Sequence, residues 1–322
     1  MESKIFSPFP RSDQTQLSAL CLALLEAQKK SWPELASAQE GLADIQSRLI
    51  RGAGYEVGVQ FNPARRVSAG AAVDAESIKN RPCFLCAGNL PPGQKGILYQ
   101  NDYLILCNPA PVSAKHFTVV HMQHQPQAIA ASTGRLLDLT ADLSPEFAVF
   151  YNGPACGASA PDHLHFQAIP ANSLPLLQSF PGHFRIINDA AVKIYCGKGI
   201  NRAAIVLVGG DKDLLLLQFA RLVQAAQKVL ALSAEPMINV LCSSDHGQWR
   251  IMIYFRSKHR PDAFYAEGEQ RIFISPGAID MAGLIITPLK LDFDRLDGDI
   301  IRDIYREVSL PEETLQDIIE EL

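Results

Sequence analysis

The sequence predicts an α+β protein: short antiparallel strands gathered into a sheet and interrupted by long helices. Three observations carry this. Strand-sized runs bounded by Asn, Asp, Gly and Pro recur at 97–100, 103–108, 116–121, 146–152 and 163–169. Apolar residues recur at helical spacing through 16–50, 127–143 and 211–231. The strand, helix, strand, loop, strand order of 200–256 loosely echoes that of 103–169, as a degenerate internal duplication would.

Taken in order, Leu17, Leu20, Leu24 and Ala27 start the first helical pattern, and Leu42, Ile45 and Leu49 resume it after Pro33. A Gly/Pro/Arg-rich stretch fills 52–70, and a loop dense in turn formers fills 80–93. After the strand and helix runs named above, 183–187 and 192–196 extend the sheet. Beyond Gly197-Lys-Gly come a strand at 203–208, the helix at 211–231, strands at 238–243, 250–255, 271–275 and 284–287, and an amphipathic helix over 297–322. This divides the chain into domains at 1–196 and 197–322.

The chain has 322 residues, 48% apolar and 20% charged, which excludes wholesale disorder. A net charge of -5 provides no basic field for a polyanion, so no nucleic-acid partner is expected. The longest apolar runs, such as 203–209, fall short of the ~20 residues a membrane span needs. The first residues lack a basic stretch followed by an apolar core, so the expected location is cytoplasmic. Seven cysteines are dispersed, and only Cys83 and Cys86 are close, a pair that without an export signal favours metal or redox chemistry over a disulfide.

The most informative stretch runs from Tyr151 to Pro170. If 163–169 is a strand, alternation puts His163, His165 and Gln167 on one face and Leu164, Phe166 and Ala168 on the other. The loop before it is small and Gly-rich (Gly153, Gly157, Ala158, Ser159), so backbone N–H groups can approach an anion closely. A phosphate cradle beside a row of imidazoles outlines a phosphoryl- or nucleotidyl-transfer site.

These residues resemble the histidine-triad superfamily of nucleotide hydrolases and transferases over roughly residues 95–170. Leu106-Cys-Asn108-Pro and Lys115-His116-Phe-Thr-Val-Val look like the family's strand, Asn turn and following strand, Asn152-Gly-Pro-Ala-Cys-Gly157 like its Gly loop, and His163-Leu-His165-Phe-Gln167 like its triad. The hydrolases carry a third histidine where this chain has Gln167. Gln is the pattern of the transferase branch: galactose-1-phosphate uridylyltransferase, diadenosine tetraphosphate phosphorylase and GDP-hexose phosphorylase. Asp280-Met-Ala-Gly and Arg306-Glu-Val-Ser-Leu-Pro are similar to the last group. The resemblance implies an antiparallel sheet with flanking helices, repeated in a degenerate C-terminal half. It also implies a nucleotide phosphorylase or nucleotidyltransferase, with a GDP-hexose phosphorylase leading and a diadenosine polyphosphate phosphorylase as the alternative. A nucleotide hydrolase and a non-catalytic nucleotide-binding protein are the readings from other classes. The expected partners are a nucleotide sugar or dinucleoside polyphosphate and a phosphate acceptor.

The resemblance makes His165 the nucleophile, attacking the α-phosphorus through Nε2 to give a nucleotidyl-histidine, with a backbone carbonyl near the Gly loop accepting from Nδ1–H. Gln167 would hold a nonbridging phosphoryl oxygen without supplying a proton, which suits leaving groups that are already phosphates. Gly157, Ala158 and Ser159 would line the phosphate pocket, Asn108 would meet the ribose, and Lys115 and His116 match the loop-to-strand position. A Cys₂His₂ structural zinc site would take Cys83, Cys86, His163 and one of two histidines after the strand; His124 is favoured over His121 because it lies beyond the strand end. Outside the resemblance, Arg65 and Arg66 could clamp a nucleotide phosphate. The Arg256-Ser-Lys258-His259-Arg260 run could bind the acceptor.

Overall fold

In a computed structural model that describes residues 2–10, 12–52, 55–66, 70, 74–197 and 201–322, the strand-sized runs pair into one eleven-stranded sheet and one three-stranded sheet. The strands are β1 (Ile5–Phe9), β2 (Gln46–Gly52), β3 (Tyr55–Phe61), β4 (Gly96–Tyr99), β5 (Tyr103–Cys107), β6 (Phe117–His121) and β7 (Phe147–Asn152). They continue with β8 (His165–Pro170), β9 (Phe184–Asp189), β10 (Lys193–Gly197), β11 (Ala204–Gly209), β12 (Ile238–Asp245), β13 (Gln248–Phe255) and β14 (Leu284–Thr287). The main helices are α1 (Leu17–Ser31), α2 (Pro33–Glu40), α3 (Thr133–Asp142), α4 (Lys212–Val229), α5 (Gly298–Val308) and α6 (Glu312–Glu320).

The large sheet is buried on both faces, which is why β5 and β7 read as unbroken apolar runs. One face packs on Leu17, Leu20 and Leu24 of α1, Leu136 and Leu137 of α3, Leu215 and Leu222 of α4, and Leu315 and Ile318 of α6. The other is covered by the small sheet through Val57, Val59 and Ile285, and by Ile301 and Ile304 of α5. Asp211 and Asp297 start α4 and α5 by accepting the backbone N–H groups of Leu214 and Ile300.

The strand order of the large sheet is β1-β4-β5-β6-β8-β7-β12-β13-β11-β10-β9. Read outward from the centre, β7-β8-β6-β5-β4 on one side matches β12-β13-β11-β10-β9 on the other, and a helix follows the third strand of each set. The echo seen in the sequence is therefore an internal repeat. Strands β9 and β10, which lie before the predicted boundary save for Gly197, sit with the second repeat. The repeats meet where β7 and β12 run antiparallel, Asn152 opposite Asn239. Laying Asn152 on Asn239 puts Phe255 on Phe166: Asn239 pairs with Tyr254, and the register that pairs Phe150 with Gln167, carried on two residues, sets Asn152 opposite His165. It also sets Tyr254 at the place of His165 and Arg256 at that of Gln167. The second repeat thus keeps the scaffold and lacks the imidazole.

Several expectations are corrected. The predicted helix over 16–50 ends with α2 and a short 3-10 turn, Gly41–Asp44, and Gln46–Gly52 is a strand. That strand pairs with β3, whose Val57 and Val59 alternate inward and lie inside the Gly/Pro/Arg-rich stretch, for which no strand is expected. Ile5–Phe9 forms an unforeseen edge strand parallel to β4. The predicted strand at 271–275 joins no ladder; its Phe273 N–H goes to the Asp292 carboxylate instead. The C-terminal helix is two helices, since Pro311 has no N–H and cannot continue α5. Parts of the predicted 52–70 stretch, at 53–54 and 67–69, and residues 198–199 of the predicted linker lie outside the described residues.

Candidate functional site

A cavity of about 700 Å³ opens on the face of the large sheet that carries His165, Gln167, Asn152 and Thr118. β8 begins at His165, two residues later than expected: the Leu164 carbonyl still accepts the His121 N–H, but the N–H groups of His163 and Leu164 go to a turn, on the carbonyls of Ala160 and Gln125. Gln127, which sequence reasoning missed, fastens that turn: its amide accepts the His165 N–H at 2.8 Å and donates to the carbonyls of Asn152 at 2.9 Å and His165 at 3.1 Å.

His165 is 4% exposed and lies 2.8 Å from the His163 carbonyl through Nδ1. A carbonyl only accepts, so Nδ1 carries the proton and Nε2 keeps its lone pair. The acceptor is the carbonyl two residues back, not one near the Gly loop. Burial pushes the His165 pKa down to about 4, so the ring is a neutral imidazole at pH 7.

A second chain of bonds sets Gln167. The Val112 N–H donates to His116 Nδ1 at 3.2 Å, so His116 Nε2 carries the proton and gives it to Gln167 Oε1 at 2.9 Å. Asn108 Nδ2 adds a 3.5 Å contact to the same oxygen. With its oxygen engaged, the Gln167 amide has its NH₂ end to offer a ligand. His116 is therefore a positioning residue for Gln167. Asn108 lines the cavity, but its amide also holds the turn, donating to Thr118 Oγ1 at 2.9 Å and accepting the Ala110 N–H at 2.9 Å.

Gly157, Ala158 and Ser159 line the cavity. Gly157 has φ +111°, and a Cβ there would come within 3.0 Å of Gly277 Cα, so both conformation and space demand glycine. The loop leans on the second repeat, a support the sequence did not reveal. Asn239 Nδ2 donates to the Cys156 carbonyl at 2.7 Å and to Asn152 Oδ1 at 2.9 Å, and Asn152 Oδ1 also accepts the Ala278 N–H at 2.7 Å.

Of the basic candidates, Arg65 lines the cavity, bound to the Ala110 carbonyl at 2.8 Å. Arg66 and Lys115 are exposed and do not line it. Arg256 is 2% exposed and spends all five N–H donors inside the protein, on Asn239 Oδ1 and the carbonyls of Pro276, Val308, Lys258 and His259. Lys258 pairs with Glu307 and Asp262. From that run only His259 and Arg260 reach the cavity, joined there by Ser275 and Asp280. Arg81 and Phe84, which flank Cys83 and were also missed, line it too; the Arg81 guanidinium lies 4.8 Å from the Phe84 ring centre.

Beside the cavity, one donor atom each from Cys83, Cys86, His124 and His163 lies within 4.8 Å of the others, a group that could hold a metal ion. His163 Nε2 donates to the His121 carbonyl at 2.7 Å, which turns Nδ1 towards the sulfurs, 3.2 Å from Cys83 Sγ and 3.6 Å from Cys86 Sγ. Cys86 Sγ lies 3.3 Å from His124 Nδ1. Tetrahedral bonds of ~2.3 Å to sulfur and ~2.0 Å to nitrogen imply S···N edges of roughly 3.5 Å, so the four residues fit a metal. His121 Nδ1 is instead occupied by the backbone of Gln123.

The neutral histidines predict an acid-side loss of stability. Burial, and then Arg65, pushes the His116 pKa down to about 3; burial, and then Arg260 and Arg256, pushes that of His259 down to about 4. An unfolded histidine titrates near ~6.5, so the unfolded chain takes up protons first as pH falls. The stability they confer is present above ~6.5 and is lost progressively below it. The melting temperature should fall between pH 7 and pH 5, and His116→Gln should flatten that fall.

The solved structures now place the fold. Yeast Ap4A phosphorylase Apa2 in complex with AMP aligns over 89% of this chain and 97% of its own, at 17% identity and TM-score 0.59. The same protein in complex with Ap4A aligns over 88% and 98%, at 16% identity and TM-score 0.57. The chain has the histidine-triad-like fold. A DUF4931 family protein from Bacillus cereus covers 56% of this chain at 14% identity and a TM-score of only 0.37, and carries no weight. A family model described as a domain of unknown function, DUF4922, matches residues 24–170, which takes in the histidine-triad-like repeat up to the end of β8. No curated protein matches the sequence.

Proposed function

We propose that this chain is a nucleotidyltransferase of the phosphorylase type that works through a nucleotidyl-His165 intermediate. The observation that carries it is the pairing of a neutral, tautomer-fixed His165 with an amide, Gln167, held by His116 in the same cavity. Nε2 of His165 attacks the α-phosphorus and the phosphate leaving group departs with the bond's electron pair. Nδ1 keeps its proton, so the modified ring is cationic, and the His163 carbonyl stabilises that charge. An acceptor phosphate oxygen, already anionic, then attacks phosphorus and the electron pair returns to Nε2. No proton transfer is required, which is why an amide suffices at Gln167.

For the substrate, likeness to a phosphorylase solved with Ap4A supports a dinucleoside polyphosphate at least as well as a nucleoside diphosphate hexose. One observation favours the second: of the two C-terminal segments similar to the GDP-hexose phosphorylases, that of Asp280 reaches the cavity. Arg306 of the other pairs on the surface with Asp303. Phe84, Leu85, Leu90, Pro91 and Leu106 give the cavity an apolar end suited to a base. We assign the Cys83, Cys86, His124 and His163 group to structural zinc, on the strength of its two thiols and two imidazoles.

The test is turnover of dinucleoside polyphosphates and nucleoside diphosphate hexoses with and without inorganic phosphate. Release of a nucleoside diphosphate only when phosphate is present is the expected outcome. Equal turnover without phosphate identifies a hydrolase, and binding without turnover a nucleotide sensor. Gln167→His sharpens the contrast. An imidazole can protonate a departing group and later guide water, so the share of hydrolysis products at fixed phosphate should rise, even if the total rate falls.

A further inference from the structure

Three arginines and one aspartate, Arg65, Arg81, Arg260 and Asp280, are the charged residues lining the cavity among those described, in a chain whose net charge is -5. Two of the arginines are tied to the walls of the first repeat. Arg81 holds the Ser159 carbonyl at 3.1 Å and lies 3.6 Å from Asp162, and Arg65 holds the Ala110 carbonyl. Arg260 belongs to the second repeat's wall, where its Nε donates to Ser275 Oγ at 3.0 Å, and Ser275 Oγ lies 3.2 Å from His259 Nε2.

The order of strands gives the cavity a direction. Leu106 precedes the Asn108 turn on β5, two strands from β8 on one side; β13, which leads into His259 and Arg260, is three strands away on the other. At ~4.8 Å per strand, a nucleotide with its base over the apolar end and its α-phosphate at His165 extends its remaining phosphates towards Arg260. The turn that presents Arg260 is fixed in advance, because the buried Arg256 guanidinium binds the carbonyls of Lys258 and His259.

We infer that Arg260 and Ser275, beside His259, form the subsite for the acceptor: a dianionic phosphate, either inorganic or the end of a phosphate monoester. This rests on the nucleotidyl-His165 reading and adds to it where the second substrate binds. In the step served, an anionic oxygen of the acceptor forms the new P–O bond, the P–N bond to His165 breaks, and Nε2 recovers the electron pair. The degenerate repeat, which lost its own imidazole, thereby keeps a catalytic task as the wall that holds the acceptor.

The test separates the two readings. Wild-type protein is loaded with radiolabelled nucleotide without acceptor, isolated, and mixed with inorganic phosphate or hexose 1-phosphate over a concentration series. Failure of wild type to load refutes the nucleotidyl-His165 reading itself. If it loads, Arg260→Gln should discharge at a rate 10–100-fold lower at limiting acceptor, the loss expected for one charge-assisted bond, while slow discharge to water is unchanged. Arg260→Lys should recover part of the rate, and Lys258→Ala, outside the cavity, should match wild type. Discharge of Arg260→Gln at the wild-type rate with both acceptors overturns the proposal, as does an equal slowing of discharge to water. Should Arg260→Gln fail to fold, Ser275→Ala takes its place, with a fall of about 3–10-fold expected and no change refuting the subsite. The better acceptor in wild type tells which source of phosphate the subsite serves.

Discussion

His165→Ala should hold no label after incubation with a radiolabelled nucleotide substrate, and its turnover should fall by on the order of 10⁴–10⁶-fold, the loss typical of deleting a nucleophile. Wild-type protein should retain a label that is labile to acid and stable to base, as phosphoramidates are. The geometry makes this a demanding expectation. His165 Nδ1 is committed to the His163 carbonyl, so only Nε2 can attack, and the ring is held in the buried wall of the cavity. Of the other neutral imidazoles that line the cavity, His116 has both nitrogens engaged, with the Val112 N–H and Gln167 Oε1, and His259 Nε2 lies 3.2 Å from Ser275 Oγ. Equal labelling of the two proteins would move the nucleophile elsewhere and end the proposed mechanism.

Cys83→Ser should lower zinc content from about one per chain and lower the melting temperature by roughly 5–10 °C, because metal binding to a site that exists only in the folded chain is folding free energy. The site ties together segments far apart in sequence: the loop of Cys83 and Cys86, the His124 loop, and the turn into β8. The His163 carbonyl that fixes the His165 tautomer belongs to one of the ligands, so the same variant should also slow formation of the nucleotidyl-enzyme. His121→Ala should leave metal content unchanged, since the contact of that residue with the site is its backbone carbonyl. Wild-type protein that carries no metal and melts as Cys83→Ser does would remove the zinc assignment.

What the sequence by itself determined is local. The alternation of His165 and Gln167 against Leu164 and Phe166, the Gly loop and the CxxC pair all depend on residue types at short spacing, and so do the runs that became β4 to β8. The internal repeat was legible as an order of elements, because each repeat reuses the same strand and helix lengths. The strand at Gln46–Gly52 was not, because its leucine and isoleucine fit a helical period as well as an extended one, and pairing with β3 decided between them. The roles of Arg256 and Arg260 were not legible either. Two arginines four residues apart look alike in a sequence, yet one is walled in by five acceptors and the other lines the cavity. Arg66 and Lys115 likewise had the right charge and the wrong exposure. Only the tertiary structure set Asn239, Gly277 and Ala278 against the Gly loop, bringing residues more than 80 positions apart to hydrogen-bond distance beside the repeat junction of β7 and β12. Chemistry that depends on residue identity can be read along the chain. Chemistry that depends on which donors are already spent requires knowing what each side chain faces.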